Sequence, residues 1–256
     1  AMPGDTVLVS LIQSRSGSPE GEVVDVLKQN NSKISGTVVT DNKKFYIIPD
    51  TMSKSHIRIA DSDNSSFHDG DKVLAEICSR GLRHADHKVR ILMSFGNAQN
   101  AQACADALLA VNGIETVFPV KTIKEAKKIS ENGIQSFEYN NRLDLRNHCI
   151  FTIDGAESKD LDDAVSIQKN SDYYTLGVHI ADVSYYVKGN SELDKEAMRR
   201  GTSVYYADKV VPMLPQELSN GICSLNPNED RLTFSCIMKV GTDGKLISYE
   251  FKKSII

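Results

Sequence analysis

The chain has 256 residues, 40 % hydrophobic and 25 % charged, an ordinary composition for a globular protein of one to three domains. Its formal net charge is −4, so the strongly basic footprint that usually accompanies nucleic-acid binding is absent from the totals, although a local basic patch stays open. No apolar run is long enough for a membrane-spanning helix, and the start "AMPGDTVLV" lacks the basic-then-apolar order of a signal peptide.

Residues 1–95 read as strands. "DTVLVSLI" (5–12), "GEVVDVL" (21–27), "KISGTVV" (33–39), "KFYIIP" (44–49), "HIRIAD" (56–61), "KVLAEIC" (72–78) and "HKVRILM" (87–93) are separated by polar turns at 29–32, 40–44 and 61–71. Short strands at this spacing predict a small barrel or sandwich. "PGDTVLVSL" (3–11) also matches "DGDKVLAEI" (69–77), with Gly4, Asp5, Val7 and Leu8 answering Gly70, Asp71, Val73 and Leu74. Two similar five-stranded units, the first lacking its opening strands, account for the repeat and for the OB-fold strand count. Chance is the other account, because Gly-Asp before a strand is a common turn.

From residue 97 the period changes. "NAQNAQACADALLAVNG" (97–113) places Ala103, Ala107, Leu108 and Val111 on one helical face, with Gly113 after its end. "KTIKEAKKISENG" (121–133) is a second amphipathic helix, with Thr122 and Glu125 at capping-box spacing and Gly133 as its stop. Strands resume at "HCIFTID" (148–154) and "DAVSIQK" (163–169), and the near-continuous apolar run in "YYTLGVHIADVSYYV" (173–187) predicts a strand buried on both faces. "SELDKEAMRRG" (191–201) is a helix with a Ser191–Asp194 capping box. Residues 208–232 are loop with short helical pieces, and 233–256 form a hairpin around "GTDGK". The chain stops inside an apolar strand, which reads as a fragment of a longer protein. Its five cysteines are scattered and form no C-x-x-C, which fits buried thiols in a reducing cytosol.

Charge is distributed unevenly. Residues 1–95 carry twelve Lys/Arg and twelve Asp/Glu, residues 96–150 six of each, and residues 151–256 twelve and sixteen. The acidic excess centres on "TIDGAESKDLDDAV" (152–165), which contains Asp154, Asp160, Asp162 and Asp163. Two unit charges about 4 Å apart repel by roughly 4 kcal/mol at an effective dielectric of ~20. A divalent cation reverses that cost, and hard oxygen-only ligands favour Mg²⁺ or Mn²⁺. Mg²⁺ takes one or two carboxylates and completes its shell with water and substrate phosphate, and two such ions suit in-line phosphodiester cleavage. An EF-hand does not fit, since the third and fifth positions counted from Asp154 are Ala156 and Ser158. A solvated turn is the bland alternative, and the apolar strands on either side argue for the metal.

The runs "RLDLRNHCIFTIDGAESKDLDDAVSI" (142–167), "LGVHIADVSYYV" (176–187) and "RRGTSVYYADKVVPMLPQELSNGICSLNPNEDRLTFSC" (199–236) closely resemble the ribonuclease II/ribonuclease R (RNB) family. T-I-D followed by D-x-D-D, with V-P-M-L-P and C-S-L-N-P, is a highly specific pattern, and the resemblance covers essentially the whole chain. It implies a mixed α+β architecture of cold-shock OB-fold barrels followed by the N-terminal part of an α/β catalytic domain. Residues 1–28 would end a first OB domain, 29–95 form a second, and 96–256 begin the RNB domain. It further implies a cytoplasmic, processive, Mg²⁺-dependent 3′-to-5′ hydrolytic exoribonuclease that releases nucleoside 5′-monophosphates, with the 3′ end of single-stranded RNA as partner and neither membrane nor small-molecule cofactor. The family's catalytic and metal-binding aspartates fall on Asp154, Asp160, Asp162 and Asp163, with Asp162 the most sensitive to substitution. Its aromatic clamp on the last base falls on Tyr205, with Tyr206 as the alternative. The family's catalytic domain continues past residue 256 and supplies an Arg and a Glu from there, so this polypeptide alone would be weak or inactive. An RNA-binding module or chaperone without nuclease activity is the competing reading.

Other residues stay open between two roles. His179 and Asp182 offer acid–base chemistry or a structured strand end. Phe45 and Tyr46 offer base stacking or core packing, and Arg231 a phosphate or a carboxylate contact. Lys43, Lys44, Arg80, Arg83 and Lys88 are basic candidates for guiding RNA or are merely solvated.

Overall fold

The computed structural model describes residues 1, 5–12, 20–30, 33–50, 55–61, 66–81, 83–206 and 209–256. Pro3 and Gly4 of the repeat, and parts of the turns at 29–32 and 61–71, lie outside the described residues. The chain divides into two units, Ala1–Glu115 and Thr116–Ile256.

In the first unit, β1 (Thr6–Ile12) pairs antiparallel with β2 (Glu20–Lys28). Strands β3 (Lys33–Asp41), β4 (Lys44–Pro49), β5 (Ile57–Ile59), β6 (Asp71–Ser79) and β7 (Lys88–Asn97) close a barrel in the order β3-β4-β5-β7-β6. Closure follows from the parallel β5–β7 pairing and from β3 pairing with both β4 and β6. This is the five-stranded OB-like closure that the strand count predicts. Its interior is almost wholly β-branched: Ile34, Val38, Ile47, Ile57, Ile59, Val73, Val89 and Ile91. Each such side chain contributes about 1.5–3 kcal/mol when removed from water. Gly36 permits the close approach of β3 and β4, because a Cβ there would lie 2.5 Å from the Ile48 carbonyl oxygen. The two aspartates matched by the repeat both brace turns. Asp5 accepts from the Asn30 amide at 2.8 Å and pairs with Arg80 at 2.6 Å, while Asp71 accepts from the His68 amide at 2.9 Å and from Ser94 Oγ at 3.0 Å.

Helix α1 (Ala101–Val111) packs on β3, β6 and β7. Its buried stripe is Ala103, Ala107 and Leu109, whereas Leu108 is 60 % exposed. The expected face therefore holds at Ala103 and Ala107 and fails at Leu108, in whose place Leu109 is buried. Small alanines let the helix lie close to the barrel.

The second unit contains α2 (Val120–Asn132), α3 (Glu138–Asn141), β8 (Leu143–Asp144), β9 (Ile150–Phe151), β10 (Asp163–Lys169), β11 (Tyr173–Ala181), α4 (Val183–Tyr186), α5 (Glu192–Arg200), the hairpin β12 (Val204–Tyr206) and β13 (Lys209–Val211), β14 (Leu232–Gly241) and β15 (Leu246–Ile255). The main sheet runs β8-β15-β14-β11-β10-β9. The predicted "DG" turn joins β14 to β15, with Gly244 at φ 79° and Asp243 Oδ1 accepting from the Lys245 amide at 3.1 Å. Ser191 caps α5 by accepting from the Asp194 amide at 3.1 Å, and Gly201 ends it at φ 74°. By contrast, Thr122 does not cap α2. That helix begins one turn earlier after Pro119, which buries Thr122 and frees Glu125 to accept from the Leu193 amide at 3.0 Å.

Strand β11 is central, yet only one of its faces is covered. Leu193, Leu218, Leu232, Ile255, Ala126 and Cys223 form the main core of this unit. On the other face Ile180 is 45 % exposed, beside Phe234 and Phe251, whose rings stack at 5.8 Å. An unbroken apolar run hides this alternation, so the expectation of a strand buried on both faces is corrected. The expectation for the cysteines is corrected too: Cys223 is buried, but Cys78 and Cys149 are exposed.

Two substitutions test these packing assignments. Ile47→Ala should cost about 2–5 kcal/mol in urea unfolding of the barrel. A loss below ~0.5 kcal/mol would contradict the barrel core. Tyr186 is buried, and its hydroxyl has no partner among the described residues. Tyr186→Phe should therefore leave stability unchanged or raise it by up to about 1 kcal/mol, and a loss above that would contradict the assignment.

Candidate active site

Asp154, Asp160 and Asp162 lie on the segment between β9 and β10, and Asp163 is the first residue of β10. Asp154, Asp162 and Asp163 are exposed and Asp160 is half-buried. The segment has little regular structure, so its backbone is held by long-range hydrogen bonds. Ser224 Oγ accepts from the Leu161 amide at 3.1 Å and lies 3.0 Å from the Lys159 carbonyl. The Leu225 amide donates to the Leu161 carbonyl at 2.9 Å, and the Ala181 amide donates to the Asp162 carbonyl at 2.9 Å. The loop that does this holding is itself clamped. Arg231 Nε donates to the Ser224 carbonyl at 2.6 Å, and its Nη2 donates to the Gly221 carbonyl at 3.2 Å. Arg231 is thus a brace for the acidic segment. Ser224 was missed as a brace by sequence reasoning, although the quoted C-S-L-N-P run contains it.

Asp162 is where the crowding of charge is felt. Desolvation by the surrounding protein, and then the charges of Asp160, Asp163 and Asp154, push its carboxyl above the ordinary carboxylate range. Among the described residues, no three His, Cys, Asp or Glu side chains are gathered tightly enough to coordinate one ion by themselves. The donor chemistry still fits a hard divalent cation: oxygen-only ligands under mutual repulsion, on a partly solvated edge. Mg²⁺ needs only one or two of them, because waters and substrate phosphates supply the rest.

Tyr205, on the β12–β13 hairpin, reaches this segment. Its hydroxyl donates to Asp160 Oδ2 at 2.7 Å, while its ring remains 64 % exposed. The carboxylate it bonds raises the phenol's pKa, with desolvation adding to the shift. Beside Asp154 lies a cavity of about 850 Å³ whose lining includes Gly155, Asn226, Pro227 and Arg231.

The remaining candidates separate clearly. His179 is fully buried, with Nε2 2.9 Å from Ser166 Oγ and Nδ1 2.7 Å from Ser235 Oγ. Asp182 pairs with buried Arg142 at 2.7 Å. Both are built into the covered side of the sheet. In the first unit, Phe45 is exposed and meets Phe67 edge-on at 5.2 Å, while Tyr46 is half-buried. Arg80 and Arg83 are committed to Asp5 and Asp86. Lys43 occupies the β3–β4 turn at φ 61°.

Comparison with known proteins bears on the same residues. The RNB domain model matches residues 142–256. Ribonuclease R 1 of Lactococcus lactis is 37 % identical over the whole chain, which covers 33 % of that protein. Ribonuclease R of Thermotoga maritima is 36 % identical over the whole chain, which covers 36 % of it. Among solved structures, ribonuclease R of Mycoplasma genitalium in complex with ribose-methylated single-stranded RNA superposes over the whole chain and 41 % of its own, with a TM-score of 0.85 at 26 % identity. The chain therefore spans about a third of the length of the curated relatives it matches. Residues 142–256 match the RNB domain, and over its whole length the chain is similar to ribonuclease R.

Proposed function

We propose that the whole protein is a processive, Mg²⁺-dependent exoribonuclease that degrades RNA from its 3′ end and releases nucleoside 5′-monophosphates. The observation that carries this reading is the bond from Tyr205 to Asp160, which sets an exposed aromatic ring against the four-aspartate segment. Asp154 and Asp163 would hold the ion together with an RNA phosphate, and Asp160 and Asp162 would complete the site. When bound, Mg²⁺ supplies charge neutralisation at the phosphate and lowers the pKa of a water. The water oxygen adds to phosphorus, the bond to the 3′ oxygen of the preceding nucleotide breaks, and that oxygen takes up a proton. Tyr205 supports a sequence-tolerant grip on the last base, because every base offers a π-face. Its hydrogen bond to Asp160 couples that grip to the site.

An RNA-binding module without nuclease activity is the second reading. What favours it is that, among the described residues, no three acids converge on one point. The chain alone, about a third of the length of its relatives, is expected to be weak or inactive.

The two readings separate on 3′-tailed single-stranded RNA digested by the whole protein with and without EDTA. Mononucleotide release should stop in EDTA. In Asp162→Asn it should fall by ~10²-fold or more, the scale of losing one electrostatic stabiliser of a transition state. Degradation that persists in EDTA or in the variant would sink the metal assignment, and tight binding without Mg²⁺-dependent release would favour the module. Tyr205→Ala should weaken RNA binding by about 1–3 kcal/mol, as for loss of one stacked base, while Tyr206→Ala should not. The opposite order would reassign the clamp to Tyr206.

A further inference from the structure

The covered face of the sheet carries an unbroken chain of polar side chains across four strands. Ser166 on β10 meets His179 Nε2 at 2.9 Å, and His179 Nδ1 on β11 meets Ser235 Oγ on β14 at 2.7 Å. Ser235 Oγ bonds Ser254 Oγ on β15, which lies 2.7 Å from Thr233 Oγ1. His179, Ser235, Ser254 and Thr233 are all fully buried. Polar groups cost free energy at such depth unless every one is paired, so a fully paired chain selects one arrangement of the strands.

We infer that His179 is a positioning residue for the aspartate site, locking the register of β10 against β11 through its bonds to Ser166 and Ser235. This rests on the exoribonuclease reading. The register argument follows from the two-residue period of a strand. Asp163 pairs with Ile180 and Ser166 with Gly177. Asp163 thus points to the open face and Ser166 to the covered one. A slip of one residue would reverse both, turning Asp163 toward the place where Ala164 packs with Ala181 and Leu225. It would also remove the bond from the Ala181 amide to the Asp162 carbonyl. The Ser166–His179 bond exists only in the register that presents Asp163 outward. Gly177 leaves room for it, since a Cβ there would lie 2.4 Å from Ser166 Oγ and 2.6 Å from His179 Nε2.

A neutral ring has one donor and one acceptor nitrogen, and the hydroxyls of Ser166 and Ser235 can each take the matching role. Burial also pushes the His179 pKa down, in keeping with a neutral ring.

The test uses this chain with Mn²⁺ as the probe. Long-range ¹H–¹⁵N spectra should show His179 protonated at one ring nitrogen only at neutral pH. By electron paramagnetic resonance, Ser166→Ala and Gly177→Ala should each weaken Mn²⁺ binding, by about tenfold for the loss of one buried hydrogen bond. Ser166→Thr, which keeps the hydroxyl, should restore it. Variants that lose stability but bind Mn²⁺ as the unsubstituted chain does would overturn the positioning role. A ring protonated at both nitrogens would overturn the neutral pairing with the two serines. If the unsubstituted chain bound no Mn²⁺, the metal reading itself would fall, and the positioning role with it.

Discussion

Four aspartates within ten residues of sequence are the constraint around which the second unit is organised. Left alone, such a segment would swing away from itself to relieve repulsion, and here the relief is refused. Ser224 holds the Leu161 amide and the Lys159 carbonyl, Leu225 holds the Leu161 carbonyl, and Ala181 holds the carbonyl of Asp162. The cost appears at Asp162, whose carboxyl is pushed above its ordinary range first by desolvation and then by its three acidic neighbours. A cation bound between these groups changes the sign of their interaction, so the braces and the repulsion together describe a segment tensioned for a positive charge.

The sheet behind the segment serves the same end. Its covered face holds the polar chain through His179 and the ion pairs of Arg142 with Asp182 and Glu138. Arg142 also donates to the carbonyls of Thr233 and Ser254, joining the residues just before β8 to β14 and β15. Apolar packing alone would tolerate small slips of one strand along another, whereas paired polar groups do not. The open face begins at Asp163 and continues through Ile180 and Phe234 to Phe251. The aspartates therefore stand at the margin between a register-locked interior and an exposed apolar surface.

Much of this was legible in the sequence because its signals are local. The β-branched runs and turns of residues 33–97 predict the barrel strands, "DG" marks the β14–β15 turn, and Ser191 with Gly201 brackets α5. The motif pattern led to the aspartates and to Tyr205. What stayed hidden depends on partners far away in sequence. Ser224 acts on residues more than sixty positions earlier, and Tyr205 meets an acid 45 positions before it. The capping box proposed for α2 failed because Pro119 starts that helix earlier and Leu193 recruits Glu125. The open face of β11 was unreadable because a run that is apolar on both sides has no visible period.

The central claim is that the 154–163 segment holds a divalent cation where an RNA phosphate can join it. Anomalous diffraction from crystals of the whole protein grown with Mn²⁺ and 3′-tailed RNA tests this most directly. The account predicts a Mn²⁺ peak within coordination distance of Asp154 and Asp163, about 2.0–2.3 Å by analogy with other small hard cations, with the last base against Tyr205. A peak elsewhere with these aspartates left unliganded, or an RNA 3′ end remote from them, would contradict it.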